Sequence, residues 1–198
     1  MKTDIILAGV GGQGILSIAA IIGAAAIGKG LYLKQSETHG MSQRGGAVVS
    51  HLRIADYPVA SDLIPLGGAD VILSVEPMES LRYLPFLSSK GWLVSNSTMF
   101  NNISDYPDFG LIEQEIKKLP HSVLLDADGI ARQLGHPRGS NMVMLGAASP
   151  FLDLTRDEII SGIEAIFSRK GEEVVQMNIK AFQAGYQISG EMSLIEGS

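Results

Sequence analysis

The chain has 198 residues, a formal net charge of −6, 45% hydrophobic residues and no cysteine. That length suits one domain that buries its own core without disulfide or metal staples. Thiolate-held iron–sulfur clusters, thiol nucleophiles and cysteine zinc sites are excluded, and the acidic balance with no basic block argues against a nucleic-acid surface.

Asp4–Ala8 is an apolar run that reads as a strand, and Met1–Asp4 lead straight into it, so they are not a cleavable leader. Gly-Val-Gly-Gly-Gln-Gly at 9–14 follows, then the small-residue stretch Ile15–Ile27, which gives a strand, a glycine turn and a helix. Gly9 suits a tight turn, Gly11 and Gly12 let a ligand approach the backbone, and Gly14 lets the helix pack against the strand. The helix start also leaves unpaired N–H groups and a partial positive charge over the turn. By itself the turn leaves two readings open, a bound nucleotide or cofactor and a turn that is only structural. The helix is apolar nearly all round, but its about thirteen residues fall short of the roughly 20 that a membrane span needs. A buried helix of a cytoplasmic α/β core, with no membrane partner, is the expectation.

Gly28 and Gly30 end that helix before a second strand at Leu31–Gln35, so the first unit reads as β-α-β. Residues 36–46 read as a loop without regular structure, long for a compact domain and therefore a candidate functional segment. Ala47–Ile54 alternates as a strand. Within the loop, Glu37 falls near the position of a ribose-binding acid, about 20 residues past a dinucleotide-binding turn. The next element is another strand rather than a crossover helix, which weighs against a dehydrogenase. Glu37, His39, Gln43 and Arg44 gather an acid, an imidazole, an amide and a guanidinium in one glycine-bearing stretch. Such a set suits an anionic ligand or a subunit contact, the guanidinium gripping a phosphate or carboxylate in two bonds. A surface loop closed by its own hydrogen bonds is the alternative.

Asp70–Val75 reads as a buried strand, Pro77 opens a helix over 78–87, and Trp92–Asn96 is the next strand. Residues 98–110 read as loop, Leu111–Leu119 as a short amphipathic helix, and Ser122–Asp126 as a strand. Asp126 and Asp128 at that strand's carboxyl end suit Mg²⁺ or a hydroxyl, but capping the next helix is their commoner use. Helices are expected over 129–135 and 140–148, and Thr155 with Glu158 forms a capping box for a helix to about Arg169. Val174, Val175, Met177, Ile179, Phe182 and Tyr186 set an apolar stripe on a helix over 172–188. The expected fold is α/β, a Rossmann-like three-layer α/β/α domain over 1–198 with a mostly parallel sheet and a helical C-terminal segment. Residues 155–189 are expected to pack at one edge of the sheet or on a partner subunit, and 191–198 to form a flexible tail. His51 reads as a packed or capped strand residue, and no histidine pair has metal-ligand spacing, so no metal site is expected. Neither a nucleophile elbow nor a Walker A ending is present, and no catalytic residue stands out.

With the turn at 9–14 and Ser-Glu-Thr-His-Gly-Met-Ser-Gln-Arg-Gly-Gly-Ala-Val-Val-Ser-His-Leu-Arg at 36–53 side by side, the chain resembles a known family. It resembles the gamma-type domain of the 2-oxoacid:ferredoxin oxidoreductases, and within that family the small subunits of the indolepyruvate enzymes, over almost its whole length. The resemblance implies oxidative decarboxylation of an arylpyruvate with coenzyme A to an acyl-CoA, carbon dioxide and reduced ferredoxin. It further implies that thiamine diphosphate, Mg²⁺ and the iron–sulfur clusters sit on a large alpha subunit, that ferredoxin meets the complex, and that this chain alone holds no cofactor tightly and turns nothing over. The missing cysteines and the missing Gly-Asp-Gly thiamine motif agree with that division. Gly9, Gly11, Gly12, Gln13, Gly14, Glu37, His39, Gln43 and Arg44 are then the candidate cofactor-binding residues, facing the large subunit near its thiamine site or holding the coenzyme A diphosphate. Alternatives are a gamma subunit of a pyruvate or 2-oxoglutarate enzyme, a non-catalytic interaction module, and a free-standing NAD(P)-dependent dehydrogenase.

Overall fold

The computed structural model describes residues 1–40, 45–101 and 103–196, with side chains through residue 190. Six strands form one mixed sheet in the order β2-β3-β1-β4-β5-β6: β1 Lys2–Val10, β2 Tyr32–His39, β3 Ala47–Ala55, β4 Ala69–Ser74, β5 Leu87–Asn96 and β6 Ser122–Leu125. β1, β4, β5 and β6 run parallel, while β3 is antiparallel to both β1 and β2. The expected mostly parallel α/β sheet is therefore present, with one difference at its start. β1 and β2 are not neighbours, because the chain returns from β2 through β3 and lays that strand between them.

The central strands are buried on both faces, which is why they read as unbroken apolar runs. Ile5 and Leu7 of β1, Val71 and Leu73 of β4 and Val94 of β5 enter the larger core, and Ile6, Ala8, Ile72 and Leu93 enter the smaller one. The larger core is covered by α1 (Ile15–Gly28), α4 (Ala127–Gln133), α5 (Ser140–Ala148), α6 (Arg156–Phe167) and α7 (Glu172–Glu196). The smaller core lies under α2 (Pro77–Arg82) and α3 (Phe109–Lys117). Of the C-terminal helices, α5 meets β4 and β5, while α7 packs on α5 and α6 on α1.

Several expected boundaries move for local reasons. Residues 36–39 are strand, not loop, with Ser36, Glu37, Thr38 and His39 in register with His51, Ser50, Val49 and Val48. Their side chains are polar because β2 is an edge strand; main-chain bonds to β3 hold it where an apolar pattern would otherwise be needed. The helix expected over 78–87 stops at Arg82, and a 3₁₀ turn at Leu84–Phe86 containing Pro85 hands over to β5. α3 starts at Phe109, two residues before the expected helix, because the Asp108 carboxylate accepts from Gly110 N at 2.8 Å. α4 starts at Ala127, with the Asp126 carboxylate accepting from Gly129 N at 2.7 Å. The Thr155–Glu158 capping box is formed as read. α7 continues to Glu196, into the stretch expected as a tail. Among the described residues no helix is long and apolar enough to cross a membrane.

Candidate functional site

β1, β4, β5 and β6 all end at the same edge of the sheet, since they are parallel. After β1 the chain leaves through α1 on one face, and after β4 and β5 it leaves through α2 and α3 on the other. Connections that diverge to opposite faces open a crevice at the carboxyl ends of the strands, the usual ligand position in open α/β sheets. A cavity of about 420 Å³ lies there, lined by Gly12, Gln13 and Gly14 after β1, Val75 after β4, Asn96, Thr98, Met99 and Phe100 around the end of β5, Asp128, and the turn into α5 with Arg138 and Asn141.

The glycines divide their work differently from the expectation. Gly9 lies within β1, and a Cβ there would sit 2.4 Å from Val75 Cγ2, so it serves strand packing rather than the turn or a ligand. Gly11 N donates to Gly46 O at 2.9 Å, tying the turn to the approach of β3. Gln13 closes the turn on itself: its N donates to Val10 O at 3.2 Å and its side-chain oxygen accepts from Val10 N at 2.8 Å. Gly12 and Gly14 have φ of 100° and 83°, a region costly for side chains with a Cβ. Gly14 is also pressed by α5 rather than by its own strand, since a Cβ there would lie 2.5 Å from Asn141 Nδ2, which donates to Gly14 O at 3.3 Å.

A second cavity, about 410 Å³, occupies the other side of the same turn, lined by Gly11, Gly12, Gly14, the first turn of α1, Val48 and His39. The structure thus brings Gly11, Gly12, Gly14 and His39 together, with Gly12 and Gly14 lining both spaces. Glu37 lines neither; it pairs with His39 along the β2 edge, two strands from β1. A ribose-binding acid belongs on the strand beside the glycine turn. The inserted β3 removes Glu37 from that place. Gln43 and Arg44 lie outside the described residues.

Sequence reading missed Asn96, Thr98, Arg138, Ser140 and Asn141. Asn96 is the joint of the crevice: its amide donates to Asp128 Oδ2 at 2.7 Å and to Val75 O at 3.3 Å, and its oxygen accepts from Ala127 N at 3.1 Å. It therefore locks three strand ends together. Arg138 is exposed on the cavity wall and has no ion pair or hydrogen bond among the described residues. α1 and α5 both begin at this cavity, and neither has a side-chain cap, whereas α2, α3, α4 and α6 each do. Two helix starts without an N-cap side chain, with Asn141 Oδ1 accepting from Met142 N of α5 at 3.0 Å, and a guanidinium unpaired among the described residues surround one space, an arrangement that favours negative charge there. The available signal was position: Asn96 ends a strand, and Pro137-Arg138-Gly139-Ser140-Asn141 is a polar turn that opens an apolar helix. His51 is packed as expected. Its Nδ1 accepts from Ile64 N at 3.1 Å, its ring meets the Phe86 ring edge-on, and burial lowers its pKa below the ordinary histidine value. Among the described residues no three His, Asp or Glu side chains gather as metal ligands.

Comparison with known proteins matches residues 4–188 to the family described as pyruvate ferredoxin/flavodoxin oxidoreductase. The chain belongs to that family. Over 98% of its length it is 36% identical to the whole of indolepyruvate oxidoreductase subunit IorB of Archaeoglobus fulgidus, and over 96% it is 34% identical to 96% of the IorB subunit of Pyrococcus horikoshii. These relatives are subunits of 2-oxoacid oxidoreductases. Among solved structures, the gamma subunit of a keto/oxoacid ferredoxin oxidoreductase from Geobacter sulfurreducens superposes with a TM-score of 0.69 at 26% identity, covering 94% of this chain and 95% of that one. A 2-oxoglutarate:ferredoxin oxidoreductase from Magnetococcus marinus, holding 2-oxoglutarate, coenzyme A and succinyl-CoA, shares the fold with a TM-score of 0.76 at 22% identity. This chain covers 31% of that longer one. What was expected as a Rossmann-like oxidoreductase gamma domain is one.

Proposed function

We propose that this oxidoreductase-family chain is the small subunit of an indolepyruvate ferredoxin oxidoreductase, acting with a large alpha subunit. The complex would convert an arylpyruvate and coenzyme A to an acyl-CoA and carbon dioxide, passing two electrons to ferredoxin. The observation that carries the reading is end-to-end identity of about one third with small subunits of indolepyruvate oxidoreductases. 2-Oxoglutarate synthase subunits are more distant, at 28% for that of Methanothermobacter marburgensis, and support the alternative substrates only secondarily. Thiamine diphosphate, Mg²⁺ and the clusters belong on the large subunit, since a chain with no cysteine has no thiolate for a cluster.

Coenzyme A supplies the thiol that takes the acyl group, and its diphosphate suits the crevice. Arg138 and the N-termini of α1 and α5 would hold that anion, while Gly12 and Gly14 let it approach the backbone of the turn. The second cavity with His39, and the neighbouring Gln43 and Arg44 of the sequence motif, would face the large subunit. Reconstitution of the two-subunit enzyme with Arg138→Ala tests the assignment. Loss of one charge-assisted contact should raise the KM for coenzyme A by roughly tenfold or more. Unchanged constants for coenzyme A would remove the cavity from its binding. An Arg44→Ala variant that leaves every constant unchanged would likewise remove Arg44 from the site.

A further inference from the structure

Between β5 and α3, the described residues 97–101 and 103–108 form a strap, with Thr98, Met99 and Phe100 in the cavity wall. Met99, Phe100 and Ile103 on it are 45%, 40% and 46% exposed. An apolar strap half in water needs attachment to keep one conformation. Two of its attachments converge on one atom of a buried carboxylate: Glu76 Oε1 accepts from Phe100 N at 3.3 Å and from the Tyr106 hydroxyl. The other oxygen accepts from Glu79 N at 2.8 Å and caps α2.

Glu76 is fully buried and has no ion pair among the described residues; the nearby Arg82 pairs with Glu79 instead. Such a group is expensive to keep unless donors satisfy it. Three donors face two oxygens, and only a carboxylate accepts on both sides; an amide would turn an NH₂ against one of them. Burial, and then the Glu76 carboxylate, push the Tyr106 pKa up, so its hydroxyl stays a donor. The residue before Glu76, Val75, lies in the cavity wall and accepts from Asn96.

We propose that Glu76 is the positioning residue of the crevice: its carboxylate holds the strap through Phe100 and Tyr106, keeps Thr98, Met99 and Phe100 in the cavity wall, and thereby sets how firmly the cavity retains coenzyme A. The last clause rests on the function proposed above; the rest stands on the geometry alone. The test uses the reconstituted two-subunit enzyme with Tyr106→Phe, which removes one strap bond and leaves the α2 cap intact, and with Glu76→Gln.

Amide hydrogen exchange over 97–101 should quicken by about tenfold, the factor for losing a hydrogen bond to a charged acceptor. Peptides from β4 should keep the parent rate. The KM for coenzyme A should rise by a larger factor than kcat falls, and the KM for the 2-oxoacid should hold, a split that general loss of folded enzyme would not produce. Unchanged exchange in both variants overturns the proposal. Faster exchange with an unchanged KM for coenzyme A, in an enzyme where Arg138→Ala raises that KM, overturns the link to the ligand. If Arg138→Ala has no effect, the coenzyme A reading falls by itself, and the exchange rates still decide whether Glu76 holds the strap.

Discussion

On one face of the sheet α5 and α7 cross so closely that a Cβ on Gly146 would lie 1.9 Å from Phe182 O, and one on Gly185 1.8 Å from Val143 O. On the other face, the buried Glu76 carboxylate caps α2 and holds the strap, and the buried Glu79 carboxylate pairs with Arg82, beside a much smaller apolar core. The first face is backbone against backbone at the crossing, an arrangement that tolerates no added volume. The second uses hydrogen bonds to charged groups, which are directional and can be released one at a time. The crevice at the carboxyl ends of the strands lies where the two meet, with the packed α5 in one wall and the hydrogen-bonded strap in the other.

Mutations separate the two modes. The largest effect is expected from Gly146→Ala or Gly185→Ala, which force backbone apart rather than a side chain aside. Either should cost about 3 kcal/mol or more, above the usual range for overpacking, and denaturant unfolding measures it. If either is tolerated within error, the close-packing account is wrong. Next, Thr155→Ala removes the capping box of α6 and should lower stability by about 1 kcal/mol. The chemical midpoint should shift with no change in slope.

On the hydrogen-bonded side the expected effects are smaller and depend on pH. Burial raises the pKa of Glu79 above the ordinary carboxylate value, with the Arg82 hydrogen bond and charge opposing it. A folded-state pKa raised in an acid means the folded form binds its proton more readily, so this group's contribution improves as pH falls through the window above the ordinary glutamate value. Glu79→Gln should flatten the stability profile there. An identical profile for the variant would show that Glu79 does not carry it.

The smallest effect belongs to His51, whose folded pKa is lowered by burial. The unfolded chain then takes up its proton first, and stability falls as pH drops below the ordinary histidine range. Protonation of Nδ1 also removes the acceptor for Ile64 N. His51→Phe should reduce the slope between pH 7 and 5, read as melting temperature against pH; an unaltered slope sinks the assignment.

Much of the fold was legible because period and punctuation are local. The apolar runs of β1 and β4, the Ile15 helix, the Thr155 capping box and the apolar stripe of α7 all appear where residue type alone argues for them. The Ser36–His39 strand was not legible, since an edge strand with polar side chains owes its existence to its partner β3. Of the expected site residues, Gly11, Gly12, Gly14 and His39 line one cavity and Gln13 lines the other while closing the turn, whereas Gly9 lies within β1 and Glu37 pairs with His39 on the β2 edge. For Arg138 and Asn141 the sequence offers only a polar turn opening an apolar helix, and the docking of α5 beside the glycine turn gives them their place at the cavity.

The sequence by itself determined the alternation of strands and helices, the presence of a glycine turn between the first strand and helix, and the lack of any thiolate for a cluster, because each depends on residue type at a local position. Tertiary structure alone decided that β3 lies between β1 and β2, that the helices diverge to open the crevice, and that Arg138, Asn96 and Glu76 stand around it. Those are contacts between segments far apart in the chain, and their energy comes from burying apolar surface on both faces of the sheet, which no short stretch of sequence can specify.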